Sequence, residues 1–459
     1  MDIQLYDYQE ANVRRLVEGR RMLLCDEPGL GKTLQILTTI HRLKSRKTLI
    51  VAPKIATGVF KHECKKWYNW DSIVYAGTPK QRAKLRDDFN TGEYKILITN
   101  YALLDEIKMY YPQWTTIVCD EVHLGGLLNK KTQKFKTLKS MICENLFLMT
   151  ATPIRSGPQD MWSLLHLLYP KVYNSYWQWV HKYCTVIDGM FGKEIQPKPK
   201  NPLKFKEMLN KHMVRNLKKD VLTQLPSKTR QLLPLDMTVK QRKAYNDLLH
   251  EMMLETDNDD LIITTGVLAQ LLRLRQILCC PKMIGIDDNG AAINALIEHY
   301  LPIEFDNGNA VVIATPFRQA VPYIADAIST AFPDVIIEEI HGGIKETAQE
   351  VAARFQSIPT HKKVIIYTIK SGASWTATDA NVGYFLGYEW TCIDNEQAED
   401  RIHRIGQSKS VRINYILHPD TVDKLVMDKL DNKAYASNWA LKPEELMRFN
   451  FSTTKGRVK

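Results

Sequence analysis

No apolar run in this chain of 459 residues reaches the length of a bilayer-spanning helix, and its N-terminus lacks the layout of a signal peptide. Neither a membrane role nor a secretory route is expected. No Cys-x-x-Cys pair occurs among the eight cysteines. That absence argues against a zinc ribbon, a structural metal or a disulfide framework. Several of the cysteines sit in apolar, strand-like contexts, as buried thiols of a reducing compartment do. Acidic residues are in the minority. Asp and Glu number 51 against 62 Lys and Arg, and the net charge of +11 fits a polyanionic partner. The remainder is ordinary for a globular protein, with 44% hydrophobic and 25% charged residues. The length exceeds what one core can hold, so two or three domains are expected.

Met22-Leu23-Leu24-Cys25 is an apolar strand candidate, and Asp26-Glu27-Pro28-Gly29-Leu30-Gly31-Lys32-Thr33 follows it. Strand, glycine turn, then Gly-Lys-Thr opening a helix over 34–43 is the layout of a phosphate-binding loop. Glycines let backbone N–H groups converge on phosphate oxygens, and the helix N-terminus adds partial positive charge. Lys32 is placed to reach the β- and γ-phosphates, and the Thr33 hydroxyl to hold Mg²⁺. The usual pattern has glycine five residues before Gly31, where this chain has Asp26, so an ordinary glycine turn is the competing reading. A second segment answers the first. Thr116-Ile117-Val118-Cys119 delivers Asp120-Glu121-Val122-His123. A carboxylate at a parallel strand end suits Mg²⁺, which fits Asp120, and Glu121 is placed to polarise a water for attack on the γ-phosphate. Such an acidic pair is otherwise a helix cap.

Strand-like runs at 48–52, 96–99, 117–119 and 146–149 alternate with amphipathic helices, which predicts a parallel sheet covered on both faces. From about 161 to 225 an aromatic-rich helical stretch follows, with Trp162, Tyr173, Tyr176, Trp177 and Trp179 read mostly as core rather than as base-stacking residues. Leu225-Pro226-Ser227-Lys228 reads as a hinge or linker. A second helical stretch, 239–284, is broken by an acidic loop at 255–260, and strands are predicted again at 310–314, 335–340, 363–368 and 411–417. Two basic clusters stand out, one at 129–136 with Lys130, Lys131 and Lys134, the other at 193–219. Each is a solvated face or an anion-binding one. Gln397, Arg401 and Arg404, spaced four and three apart, are predicted to share one helix face, either as arginine fingers or as a surface ion-pair helix.

Taken in order, these segments resemble the helicase-like ATPases of superfamily two, in the Swi/Snf branch, over nearly the whole chain. Tyr8-Gln9 resembles the glutamine motif that reads adenine, and 26–33 resembles motif I of that branch, whose first position is usually not glycine. Leu49–Lys54 resembles motif Ia, 98–104 the next DNA-contacting motif, 120–123 motif II, and 149–154 motif III with its downstream helix at 162–165. The run 271–277 matches a signature of the branch's second helical insertion, and 397–407 is similar to motif VI. Motif V, at 368–376, departs: it is shortened and lacks the Gly-Leu-Asn-Leu core.

The resemblance implies an α/β fold of two RecA-like parallel-sheet lobes with helical insertions. Lobe 1 is expected at 1–226 with its insertion at about 161–225, and lobe 2 at 227–459 with an insertion at about 236–300, motifs V and VI and a C-terminal helical tail. It further implies ATP and Mg²⁺ as cofactors. Gln9, Pro28, Gly29, Leu30, Gly31, Lys32 and Thr33 would hold the nucleotide, and Thr33 and Asp120 the metal. Lys32, Asp120, Glu121, Gln397, Arg401 and Arg404 would carry hydrolysis, with His123, Thr150 and Thr152 relaying the ATP state. Lys54, Asn100, Tyr101, Lys130, Lys131, Lys134, Lys370 and Ser371 would meet DNA, gripped through phosphates without sequence preference. The spelling Gln397-Ala398-Glu399-Asp400-Arg401 is similar to the subgroup that anneals strands and remodels forks. The function expected is an ATP-dependent, monomeric translocase on duplex or branched DNA, serving branch migration, fork regression or annealing in repair, recombination or replication. Alternatives are a translocase that displaces bound proteins and an ATP-gated DNA clamp. The compact layout suggests a minimal stand-alone motor of bacterial or viral type, working in the cytoplasm.

Overall fold

The computed structural model describes residues 3–154, 157–189, 192–221, 225–255, 263–371 and 375–424. The chain falls into two compact units, with the boundary at 223–224. The acidic loop beyond residue 255, most of the central part of motif V and the expected C-terminal tail lie outside the described residues.

Unit 1 opens with helix α1 (Asp7–Gly19), strand β1 (Arg21–Leu24) and helix α2 (Lys32–Arg42). Further strands are β2 (Thr48–Ala52), β3 (Ser72–Tyr75), β4 (Ile96–Asn100), β5 (Gln113–Cys119) and β6 (Ile142–Met149). The expected helical insertion is only partly helical. Between its helices lies an antiparallel hairpin, β7 (Cys184–Gly189) with β8 (Gly192–Pro199), and β9 (Met213–Val214) returns to the main sheet beside β1. The sheet runs β3-β4-β2-β5-β6-β1-β9, and its neighbours are parallel. Alternation decides where its side chains go. Leu49 and Val51 enter one apolar cluster, Ile50 and Ala52 the other, so helices cover both faces. A strand buried on both faces reads as a continuous apolar run, which is why 48–52 was legible.

Unit 2 repeats the plan. Its strands are β10 (Lys228–Pro234), β11 (Ala310–Thr315), β12 (Ile336–Ile340), β13 (Lys363–Thr368), β14 (Ala380–Phe385) and β15 (Val411–Leu417). They form a parallel sheet in the order β10-β15-β14-β11-β13-β12. Val312 and Ala314 feed one core cluster and Val311 and Ile313 the other. The residues expected to form a linker instead lead straight into β10, an edge strand whose first residue is Lys228. The fold class is therefore α/β, with two parallel-sheet units carrying helical insertions.

Candidate functional site

In a parallel sheet, ligand sites form beyond the carboxyl ends of the strands. β1, β6 and β5 are successive neighbours, so the loops that follow them emerge side by side. These loops are 25–33, 150–152 and 120–123, the three segments singled out for nucleotide chemistry. Backbone bonds stitch them together: Thr150 N–H donates to Leu24 O at 3.1 Å, Val122 N–H to Met149 O at 3.1 Å, and Asp120 N–H to Val51 O at 2.8 Å.

The phosphate loop has the conformation its glycines were expected to allow. Gly29 and Gly31 have φ of 84° and 73°, and Gly31 caps α2, whose first residues are Lys32 and Thr33. A Cβ on Gly31 would also meet Gln9 Nε2 at 2.5 Å. Lys32 Nζ donates to the carbonyls of Asp26 (2.8 Å) and Glu27 (3.3 Å), which holds the ammonium inside the curl of the loop. A basic group at a helix N-terminus, preceded by two glycines at positive φ, fits an anionic phosphate. Pro28 forms part of the turn. The Leu30 carbonyl accepts from Tyr8 Oη (3.0 Å), Gln9 Nε2 (3.1 Å) and Gln35 Nε2 (2.9 Å).

Gln9 departs from its expected role. It is 2% exposed, its Nε2 is bonded to Leu30 O and its Oε1 accepts from Tyr6 N–H. In this structure it braces α1 against the phosphate loop rather than presenting its amide outward. Asp26 explains the missing glycine. Its carboxylate is 0% exposed and accepts from Asn12 Nδ2 (2.9 Å), Gln35 Nε2 (2.9 Å), Asn216 N–H (2.8 Å) and Asn216 Nδ2 (3.0 Å). Four donors on two oxygens satisfy the buried charge that would otherwise be costly. Arg215, next to Asn216, donates to Cys25 O and to Ala151 O, each at 2.9 Å, so one guanidinium bridges loops 25–33 and 150–152. Asn12, Gln35, Arg215 and Asn216 were not singled out as site residues. Asn12 shares the buried face of α1 with Gln9, Arg215 falls in the basic cluster at 193–219, and neither signal points to this loop, because Arg215 and Asn216 lie about 190 residues downstream of it.

Glu121 sits in the left-handed region at φ 46°, uncommon for a side chain of this kind. The chain reverses there, and the Glu121 carbonyl accepts from Leu124 N–H (2.8 Å) and Gly125 N–H (3.2 Å). Burial and the neighbouring Glu121 charge raise the Asp120 pKa, with Lys32 opposing. A buried carboxyl whose ionisation is opposed by burial and by a neighbouring carboxylate suits a site completed by a cation. Thr33 and Asp120 are the groups that would hold Mg²⁺, while Glu121 lies beside the relay. His123 Nδ1 is 3.3 Å from Glu121 Oε2, 2.9 Å from Thr150 Oγ1 and 3.5 Å from Thr152 Oγ1. Thr152 N–H donates to Thr150 Oγ1 at 3.0 Å. The expected coupling residues His123, Thr150 and Thr152 are thus brought together into one chain with Glu121.

The expected DNA residues scatter. Tyr101 is a correction: it is 6% exposed, its hydroxyl donates to Asp120 O at 2.7 Å, and a Cβ on Gly125 would strike its ring at 2.4 Å. It packs under the acidic loop and is unavailable to DNA. Asn100 Oδ1 accepts from Ala102 N–H, capping a short turn. Lys54 is exposed at the start of a 3-10 turn. Lys130 and Lys131 are exposed and Lys134 half-buried, and the Lys130 ammonium lies 5.1 Å from the Trp162 ring and 4.1 Å from the Tyr176 ring. Trp162 and Trp179 are core, as expected, whereas Trp177 is 67% exposed.

In unit 2, Lys370 Nζ donates to Glu389 Oε2 at 2.6 Å and Ser371 N–H to Thr368 O at 2.8 Å. The expected shared helix face for Gln397, Arg401 and Arg404 does not form. The helix Cys392–Glu399 stops before the arginines. Tyr367 Oη takes the Ala398 carbonyl (2.9 Å) and Ala377 N–H takes that of Arg401 (3.0 Å), which diverts the chain from helical bonding. Arg401 is 3% exposed, with its guanidinium 5.4 Å from the Trp375 ring and donating to the Trp375 carbonyl. Arg404 is half-buried; it donates to Asp400 O (2.8 Å) and Thr376 Oγ1 (3.2 Å). The shortened motif V therefore supplies the seat for both arginines. Gln397 Nε2 is buried and has no hydrogen-bond partner among the described residues.

The family model described as SNF2-related domain matches residues 8–283. Human "SWI/SNF-related matrix-associated actin-dependent regulator of chromatin subfamily A member 1" is 24% identical over 94% of this chain and 43% of its own length. "Transcription regulatory protein SNF2" of Saccharomyces cerevisiae is 23% identical over 90% of this chain and 26% of its own. Human "Chromodomain-helicase-DNA-binding protein 1" is 24% identical over 94% and 26%. The chain thus spans less than half the length of these curated relatives. A solved structure titled "Sulfolobus solfataricus SWI2/SNF2 ATPase core in complex with dsDNA" matches with a TM-score of 0.45 and 22% identity, over 97% of both chains.

Proposed function

Because this chain belongs to the SNF2-related family, we propose that it is a DNA-dependent ATPase that converts ATP hydrolysis into movement along duplex DNA. The observation that carries the proposal is the chain from Glu121 through His123 to Thr150 and Thr152, which links the candidate water-activating carboxylate to the loop after β6. Mg²⁺ and ATP would supply the reactive phosphoanhydride and the cation that offsets its charge. Lys32 and the amides of Gly29, Leu30 and Gly31 would bind the phosphates, Thr33 and Asp120 the cation, and Glu121 would orient and deprotonate the attacking water. A change at Glu121 on hydrolysis would be felt at Thr152 through His123. Arg404 would stabilise the transferred phosphate during turnover, and Arg401 would hold Trp375, the neighbour of the Thr376 on which Arg404 rests.

The finer reading is remodelling of forks and junctions, suggested by the spelling of 397–401. The names of the relatives, which include chromatin regulators, favour a second reading, displacement of DNA-bound proteins. The discriminating experiment displaces a third strand from a linear and from a forked duplex, with ATP consumption followed in parallel. Fork-specific stimulation supports the first reading. Equal stimulation on both, with removal of a bound protein, supports the second. Hydrolysis with no displacement on either substrate would overturn the translocase.

A further inference from the structure

Glu399 is 1% exposed and accepts from four donors. Lys228 Nζ lies at 2.8 Å, Arg230 Nε and Nη2 at 2.8 and 2.7 Å, and Tyr415 Oη at 2.6 Å. Lys228 reaches Asp400 Oδ1 as well, at 3.1 Å. Next along, His403 Nε2 lies 2.8 Å from Pro226 O, and Ser227 meets Ser410 side chain to side chain at 3.1 Å. All of these bonds except that of Tyr415, which lies in β15, join motif VI or its flank to residues 226–230, close to the start of unit 2 at residue 224. Nothing in hydrolysis as described uses Glu399, Lys228 or Arg230. A buried cluster of this kind is weak support for stability, since apolar replacements often do as well, but it fixes geometry.

We propose that Glu399 is a positioning residue that ties motif VI to the start of unit 2, so that engagement of Arg404 with the transferred phosphate moves the chain at 226–230. The inference rests on the reading of the protein as a DNA motor. It predicts that cutting the tie uncouples hydrolysis from movement without disabling hydrolysis. The bidentate Arg230–Glu399 pair carries direction as well as charge, because two parallel bonds fix the plane of both groups. Arg404 lies five residues beyond Glu399, and its Nε donates to Asp400 O, so a shift of the guanidinium pulls on the residue next to the hub.

The test compares wild type, Glu399→Gln, Arg230→Met and the double variant, measuring ATP consumed per third strand displaced from duplex DNA. Each single variant is expected to keep ATP KM and DNA-independent turnover within about twofold while raising ATP consumed per displacement at least about fivefold, with the double variant no worse than either single. Tyr415→Phe, which removes one hydroxyl from the same hub, gives the same sign with a smaller effect and serves if Glu399→Gln does not fold. Unchanged ATP consumption per displacement, whatever the loss in unfolding temperature, would overturn the tie. So would additive effects in the double variant. A wild-type chain whose hydrolysis ignores DNA would overturn the motor reading and this inference together, whereas a wild-type motor with fully coupled variants overturns only the inference.

Discussion

Asp26 shows how one departure from a pattern can be structural. Replacing its carboxylate by an amide puts two N–H donors where four already converge. Asp26→Asn should therefore cost about 3 kcal/mol of stability, as expected for buried bonds to a charged acceptor, in urea unfolding of the nucleotide-free protein. It should also raise ATP KM, because Lys32 is anchored on the Asp26 carbonyl. Glu121→Gln should bind ATP and hydrolyse it slowly, because an amide cannot take the proton of the attacking water. Normal turnover in that variant would remove Glu121 from the chemistry. The two arginines separate cleanly. Arg401, stacked on Trp375, should on change to Ala destabilise the fold by about 1–3 kcal/mol. Arg404→Ala should leave ATP affinity near wild type and reduce turnover on the order of a thousandfold, as for a missing arginine finger. Turnover within threefold of wild type, on the order of the scatter between preparations, would make Arg404 purely structural. Glu399 adds a pH dependence. Burial alone would raise its pKa, but Arg230 and Lys228 outweigh burial and lower it from 4.5 to about 2. A carboxylate depressed on folding stabilises the native state above its unfolded pKa and loses that contribution as pH falls through the folded value. The stability advantage of wild type over Glu399→Gln should thus be complete at neutral pH and shrink as pH drops from 4.5 toward 2.

At the scale of elements, legibility followed burial. β2 and β13 have their expected bounds because both faces are largely apolar, and β15 because Val411, Ile413 and Tyr415 on one face outweigh Arg412 and Asn414 on the other. β14 was missed, since Asn381 and Gly383 interrupt its apolar run, and the small Gly383 is required where Ile413 and Val312 close in at 3.2 and 3.4 Å. The linker expected at 225–228 meets β10 only at Lys228, and the rest of β10 has no strand expectation; the counter-charges of Lys228 and Arg230, Glu399 and Asp400, are some 170 residues away in sequence. The same remoteness hid Arg215 and Asn216. Local segments of the site, the glycine turn and the acidic strand end, were legible, while braces assembled across the sheet were not. The false helix at 397–404 came from spacing alone; tertiary bonds from Tyr367 and Ala377 ended it early. The segment 129–136 can be tested as an element. Changing Lys130, Lys131 and Lys134 together to Ala should weaken binding to all DNA sequences alike and flatten the plot of log affinity against log salt by up to roughly three units. An unchanged slope would leave these lysines as a solvated face, with Lys130 merely packed on Trp162 and Tyr176.

The whole molecule comprises two parallel-sheet units, of which the first holds the phosphate loop and acidic pair and the second the two arginines on their tryptophan and threonine seat. With a net charge of +11, it should bind polyanions in a salt-sensitive way even without chemistry, so DNA binding alone says little about a motor. No described helix is long and apolar enough to cross a membrane. The most direct test of the central claim is the steady-state rate of ATP hydrolysis by the full chain as duplex DNA is added at fixed Mg²⁺ and ATP. The rate should rise with DNA to a plateau at least about tenfold above the DNA-free value, and the DNA concentration giving half of that rise should increase with salt. A rate that stays flat across the titration, in a protein that demonstrably binds the DNA, would contradict the account.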